Sequence, residues 1–263
     1  MKTLKRGCKG SDVVMLCQEL NRNNVYIEVD YVFGPMIHNA VCEFQRIHNL
    51  DVDGIVGYST WEALLFGNRE HYMYLTDDDF ECMSLLLDCE VATIKAVQEV
   101  ESAGCGFIEN NMPTILFEGH IFWNQLKKHD INPEHYVYGN EDILYRKWTK
   151  SYYEGGIAEY DRLERAMAID KDSALESASW GMFQIMGFNY DICSEKCVSD
   201  FVDKMYEGEY WHLIMFGRFL KKNNMIKYLQ NKDWAGFAYR YNGSGYRENR
   251  YDEKLARAYN KWS

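Results

Sequence analysis

The chain has 263 residues, of which 47% are hydrophobic, 26% charged and 15% aromatic. That length suggests one large domain or two unequal ones with a real core, and it excludes dominant disorder. The 29 basic and 40 acidic residues give a net charge of -11, which argues against nucleic acid or an anionic membrane surface as partner, because phosphate binding needs clustered Lys and Arg.

The most apolar runs, Leu85–Leu87 and Leu213–Phe216, fall far short of the roughly 20 residues of a membrane span. Lys2, Lys5, Arg6 and Lys9 are not followed by an apolar stretch, so no secretory signal peptide is expected. The 8 cysteines form no C-x-x-C and mostly sit among apolar neighbours, as buried thiols do in a reducing cytoplasm. Cys193 and Cys197 stand four apart, but no second Cys/His pair lies near them. Neither a metal site nor a cofactor is therefore expected.

Residues 1–66 read as a small three-helix domain. Ser11-Asp12 is an N-cap signal before Val13, Leu16, Cys17 and Leu20 at helical spacing, and Asn23-Asn24 ends that helix. Asp30 to Gly34 forms a turn, and Pro35 suits the first turn of a second helix with Ile37, Val41, Phe44 and Ile47 on its apolar face. Asp53 to Gly57 repeats that turn before a short helix carrying Trp61, Leu64 and Leu65, which makes an internal pseudo-repeat.

The string Leu4-Lys5-Arg6-Gly7, Gly10-Ser11-Asp12-Val13, Phe33-Gly34, Ala40-Val41, Phe44-Gln45, Asp53-Gly54-Ile55-Val56-Gly57 and Thr60-Trp61 resembles the peptidoglycan-binding domain of bacterial and phage cell-wall hydrolases. Tyr31 departs from the glycine usual there. The resemblance implies glycan or stem-peptide binding by this module.

Residues 67–79 are polar, with three consecutive aspartates at 77–79, and read as a linker. Residues 80–263 read as a second, helix-dominated domain with a small sheet. Helical periodicity runs from Phe80 to Leu87 and from Val91 to Val100, with Gly104 as a possible C-cap. It returns near Phe117–Leu126, Leu163–Ser177, Val198–Lys222, Met225–Leu229, Trp234–Tyr241 and Asp252–Trp262, while residues 132–156 are aromatic, polar and weakly periodic.

Three strings in this domain carry chemistry. Glu101 in Val100-Glu101-Ser102 ends an apolar helix, where burial would raise its pKa and make it a proton donor for glycosidic cleavage. In Trp180-Gly181-Met182-Phe183-Gln184, a glycine would let backbone approach a ligand and Gln184 offers an amide to sugar groups. In Tyr239-Arg240-Tyr241-Asn242-Gly243, a phenol and an amide precede a flexible turn. Glu-Ser, Gly-x-x-Gln and Tyr-Asn in this order are similar to the signature of goose-type lysozymes and soluble lytic transglycosylases. With Ile115 to Phe122, Ala178 to Gly187 and Arg240 to Gly243, the second domain resembles more closely the N-acetylmuramidase domain of phage endolysins.

That resemblance implies a mainly helical, lysozyme-like α+β catalytic domain hydrolysing the bond between N-acetylmuramic acid and N-acetylglucosamine, with peptidoglycan strands as partner. Carried over, Glu101 is the general acid, and Ser102, Gln184, Tyr241 and Asn242 line the substrate cleft. Glu118, in an apolar string, is the first candidate for a second carboxylate, ahead of Asp161 and Asp170. The alternatives are a lytic transglycosylase or a non-catalytic wall-binding protein. A monomer is expected, without membrane insertion, made in the host cytoplasm and reaching the wall through a permeabilised membrane.

Overall fold

A computed structural model describes the backbone of every residue except 103 and 104, and all side chains except those of 102–104. The chain divides into two compact units, residues 1–71 with 77–90, and residues 72–76 with 91–263.

The first unit contains α1 (Ser11–Arg22), α2 (Pro35–Ile47), α3 (Tyr58–Phe66) and α4 (Asp77–Leu87). Leu16, Leu20, Val41, Phe44, Trp61 and Leu64 are buried. The pseudo-repeat is physical: Asp30 Oδ1 accepts from Val32 N at 3.1 Å and Asp53 Oδ1 from Ile55 N at 2.8 Å, and each turn ends in a glycine that caps the next helix. The second turn is locked further by buried Gln45. Its Nε2 donates to Asp53 Oδ1 at 2.9 Å, and its Oε1 accepts from Gly54 N at 2.8 Å. The helix signal at Ser11-Asp12 is shifted by one residue, since Gly10, at φ 132°, holds the N-cap and no side chain caps α1. The helix beginning near Phe80, expected with the second domain, packs on α3 within the first unit.

The second unit is helical, as expected, with one small sheet. It contains α5 (Val91–Ser102), β1 (Ile115–Phe117), α6 (Gly119–Lys128), α7 (Ala158–Met167), α8 (Lys171–Glu176), β2 (Ala178–Trp180) and β3 (Ile185–Met186). Then follow α9 (Val198–Glu207), α10 (Glu209–Lys222), α11 (Ile226–Gln230), α12 (Trp234–Asn242) and α13 (Tyr251–Trp262). The strands pair antiparallel in the order β1-β2-β3, with Ile115 opposite Trp180 and Trp180 opposite Ile185.

A buried ion pair fixes the end of β1. Glu159 and Arg162, 0% and 2% exposed, meet at 2.7 Å one turn apart on α7. Burying two charges is costly unless their remaining hydrogen-bonding positions are filled. Here Glu159 accepts the amides of Phe117, Glu154 and Gly155, and Arg162 donates to the carbonyls of Phe117 and Asp142. Both backbone groups of Phe117 are therefore held, immediately before Glu118. Of the two remote aspartates, Asp161 is exposed and Asp170 caps α8 by accepting from Ser173 N at 2.9 Å.

The start of α10 gathers distant loops. Glu209 Oε1 accepts from Gly106 N at 2.8 Å and Oε2 from Leu75 N at 3.0 Å, while Glu209 N donates to Met73 O at 2.9 Å. Glu209 is 4% exposed, so these amides stand in for water around its carboxylate. Segment 72–76 thus belongs to the second unit although α4 follows it in sequence. A fragment 72–263 should melt higher than a fragment 91–263, which strands Glu209, and paired thermal denaturation curves would check this.

Candidate active site

Glu101 is the penultimate residue of α5, and Asn242 is the last residue of α12. Asn242 Nδ2 donates to both carboxyl oxygens of Glu101, at 3.1 and 3.3 Å. Burial is the main influence on this carboxyl and pushes it up to about 7. The Asn242 amide and the charge of Lys254, on α13, pull the other way by favouring the ionised form. Burial and the Glu101 charge together raise the Tyr251 phenol, at the start of α13.

Glu101 is held in place through helix packing. α5 lies against α13, and Glu99, on the same turn of α5, accepts from Lys261 Nζ at 2.8 Å and Trp262 Nε1 at 2.7 Å. Asn242 is aimed by its neighbour. Tyr241 donates its hydroxyl to Phe183 O at 2.7 Å and stacks on Phe237 at 5.3 Å, with Phe216 and Phe219 edge-on. The hydroxyl bond ties α12 to the turn between β2 and β3. The Tyr241 hydroxyl is thus engaged by that turn.

The second string is tied into the protein at both its glycine and its glutamine. Gly181 sits at φ +68°, and a Cβ there would come within 2.8 Å of the ring of His212. Gly106 presses on the same ring, where a Cβ would lie 2.5 Å from Nδ1. The two glycines make room for the ring of a buried histidine. His212 Nδ1 accepts from Met182 N at 3.0 Å and Nε2 donates to Met205 O at 2.8 Å, an arrangement that requires the neutral ring. Burial lowers its pKa to about 4 in agreement. Gln184, at φ 49°, is also committed: Nε2 donates to Thr114 O and Gly181 O, and Oε1 accepts from Ser179 at 2.8 Å. It braces the hairpin beneath the site. The side chain of Ser102 and the expected cap at Gly104 lie outside the described residues.

Glu118 caps the start of α6 and is mostly buried. Its Oε2 accepts from Tyr153 at 2.7 Å and lies 3.2 Å from His120 Nδ1. Burial first, and then this carboxylate, push the Tyr153 phenol upward, so the phenol stays the donor. Tyr153 comes from the weakly periodic stretch before α7, where the sequence offered no pairing signal. Lys254 and Tyr251 went equally unread, although their spacing puts both on one face of α13.

The family model for N-acetylmuramidase matches residues 90–263, about two thirds of the chain, and spans every residue just described. The chain belongs to the N-acetylmuramidase family. A second model, for a putative peptidoglycan-binding domain, matches residues 9–64. Among solved structures, the muramidase is similar to the crystal structure of a Burkholderia AP3 phage endolysin, at 38% identity over 99% of each chain and a TM-score of 0.68. No helix of its described residues is long and apolar enough to cross a membrane.

Glu101 in the folded muramidase holds its proton more tightly than in the unfolded chain, where its value is 4.5. Its contribution to stability is complete below pH 4.5 and is lost as pH rises through about 7. Glu101→Gln cannot ionise and should be more stable than the native chain above that value, by about 3 kcal/mol at most. Melting curves between pH 4 and 8 should show the two proteins converging at the acid end. Asn242→Ala removes a group that favours the charged form, so Glu101 should titrate still higher. The alkaline limb of the pH–rate profile should move to higher pH, whereas simple unfolding would lower the rate at every pH.

Proposed function

We propose that this chain is a modular endolysin that cleaves the glycosidic bond between N-acetylmuramic acid and N-acetylglucosamine, with Glu101 as general acid. The observation that carries this reading is a carboxyl buried in the muramidase unit, raised to about 7 and spanned by an amide at 3.1 and 3.3 Å. A carboxyl titrating near neutrality is largely protonated where the wall is attacked, yet acidic enough to release its proton to a leaving oxygen. Proton transfer from Glu101 to the glycosidic oxygen breaks the bond at the muramic C1 and leaves positive charge on the ring. Asn242 then stabilises the carboxylate that forms. In this reading Tyr241 and Gln184 shape the cleft by holding Asn242 and the hairpin, and Ser102 adjoins the acid in sequence. The first unit supplies attachment to the glycan or its stem peptides. Synthesis in the host cytoplasm, with access through a membrane lesion, fits this role.

Glu118 is proposed as the second carboxylate, its Oε2 held by Tyr153 with His120 Nδ1 3.2 Å away, so that Oε1 can take a proton from water attacking C1. A second reading draws on the same contacts. An oxygen bonded by Tyr153 also suits a structural brace, and the muramic 6-hydroxyl would then attack in place of water. Hydrolysis leaves ordinary reducing ends; internal attack leaves anhydro-muropeptides one water lighter.

Glu101→Gln should stay folded and lose lysis of purified sacculi by about a thousandfold or more. Mass analysis of soluble fragments should show reducing ends, and Glu118→Gln should fall nearly as far as Glu101→Gln. Dominant anhydro ends, with Glu118→Gln close to native in rate, would establish the transglycosylase reading. A folded Glu101→Gln protein that lyses normally would remove Glu101 as the acid.

A further inference from the structure

The acidic character of this chain is unevenly distributed. Residues 221–263 carry ten Lys/Arg against four Asp/Glu, whereas the preceding 220 residues carry nineteen against thirty-six. All ten of these basic side chains are exposed. They lie at the end of α10, on α11, on the link to α12, on α12, on the 243–250 turn and on α13, the part of the second unit that also supplies Asn242 and Lys254 to the active site.

Several of these cations rest against tyrosine rings, as Arg162, Lys204 and Arg218 do against other rings, while Arg250 and Lys261 pair with Glu253 and Glu99. Elsewhere Arg162, Arg165, Lys204 and Arg218 are matched by carboxylates at 2.6 to 2.7 Å, which cancel their charge locally. Here Lys227 lies 5.2 Å and Arg240 5.3 Å from the centre of the Tyr228 ring, and Arg240 Nε donates to the same tyrosine's hydroxyl at 2.7 Å. Arg247 repeats the arrangement on Tyr246, at 5.6 Å from the ring and 3.1 Å from its hydroxyl. Lys254 lies 5.2 Å from the ring of Tyr251. An aromatic ring attracts a cation through its quadrupole but has no net charge to neutralise it. The tyrosines therefore order the cations while leaving their positive charge directed outward.

We propose that this cationic, tyrosine-backed face of α11–α13 is a second wall-binding surface, which engages the carboxylate-bearing stem peptides flanking the sugar at Glu101. The inference rests on the muramidase reading above for the identity of the polymer. Charge complementarity selects the peptides: the sugars of the glycan are neutral apart from substituents, and the stem peptides carry free carboxylates. Continuity selects the place, because Lys254 and Tyr251 belong both to this face and to the electrostatic surroundings of Glu101. An anionic strand spread along the face would bring its neighbouring glycosidic bond toward the acid. A chain of net charge -11 would otherwise be repelled by an anionic wall.

The test uses the full-length protein with Lys227, Arg240 and Arg247 all changed to Glu, beside a control with Lys227→Arg, Arg240→Lys and Arg247→Lys. Sedimentation with intact sacculi in the cold, at low and high salt, measures binding. Release of reducing ends from glycan strands stripped of their peptides by an amidase, with the lactyl carboxylates so exposed converted to neutral amides, measures chemistry. The Glu variant should bind sacculi at least about threefold more weakly at low salt and lose most of its salt dependence, as expected for exposed charges screened by ions. The conservative control should bind as the native chain does. Both variants should cleave peptide-free strands at the native rate, which also shows that they are folded. Unchanged sacculus binding by the Glu variant would overturn the proposal, as would an equal loss on peptide-free strands. Native protein that binds vesicles of phosphatidylglycerol more tightly than sacculi, through the same three residues, would reassign the surface to a membrane. If the native protein released no ends from peptide-free strands, the muramidase reading would fail, and the binding comparison would still report on the surface.

Discussion

The site depends on keeping water away from one carboxyl group. A glutamate near the end of an exposed helix titrates close to its ordinary value, and α5 alone could not change that. The dry wall is supplied by α12 and α13, whose contact residue Asn242 lies 141 positions further along the chain. The packing of α5 on α13 is therefore what turns an ordinary helix-end glutamate into a candidate acid. The tether from Glu99 to Lys261 and Trp262 holds the same two helices together on an exposed edge. Exposed ion pairs contribute little by themselves. Here the pair is reinforced by an indole donor, and it limits how far the end of α5 can move from the wall.

The scaffold around the acid uses buried polar groups in two opposite ways. His212 is kept neutral, because each ring nitrogen has one backbone partner and neither arrangement requires a charge. Glu159 and Arg162 pair with each other, and backbone groups take most of their remaining hydrogen-bonding positions, the Arg162 Nε excepted. Both solutions serve position more than stability. His212 fixes the turn at Met182, next to the Phe183 carbonyl that receives Tyr241. The ion pair fixes Phe117, next to Glu118. Replacing such groups by apolar side chains of similar volume can be neutral for stability, but it would release the backbone at these two points.

The sequence disclosed the site unevenly, for identifiable reasons. The turns Asp30–Gly34 and Asp53–Gly57 were readable because their chemistry is local: an aspartate bonds the amide two residues on, and a glycine starts the next helix. Glu101 and Asn242 were readable as members of a spaced signature, although their contact was not. The packing of Gly181 was not readable, because a glycine announces that space is needed without saying what fills it, and here a histidine 31 positions later lies against it. The three partners of Gln184 were hidden for a similar reason, since they come from separate parts of the chain or from its own turn. The split at residues 72–76 escaped notice because hydrophobic periodicity marks where a helix is, not which core it joins.

Burial alone would not make Glu101 a good acid. Desolvation opposes the charged form without limit, and a carboxyl raised far above neutrality would keep its proton through the transition state. Catalytic proton transfer works best when the donor's pKa lies near the working pH, where the group is both protonated and ready to give the proton up. The two forces opposing burial here are an amide whose hydrogens face both carboxyl oxygens and a lysine charge on α13. Neither contact can accept the acid's proton, since an ammonium group and an amide N–H only donate. They favour the ionised product of the transfer over the neutral acid, and so they strengthen as the proton leaves. The same elements that dry the carboxyl thus supply the charge stabilisation that limits how far its pKa rises. This is why the end of α12 and one face of α13 must be placed together against α5, and why the residues of the third string carry meaning only in their fold.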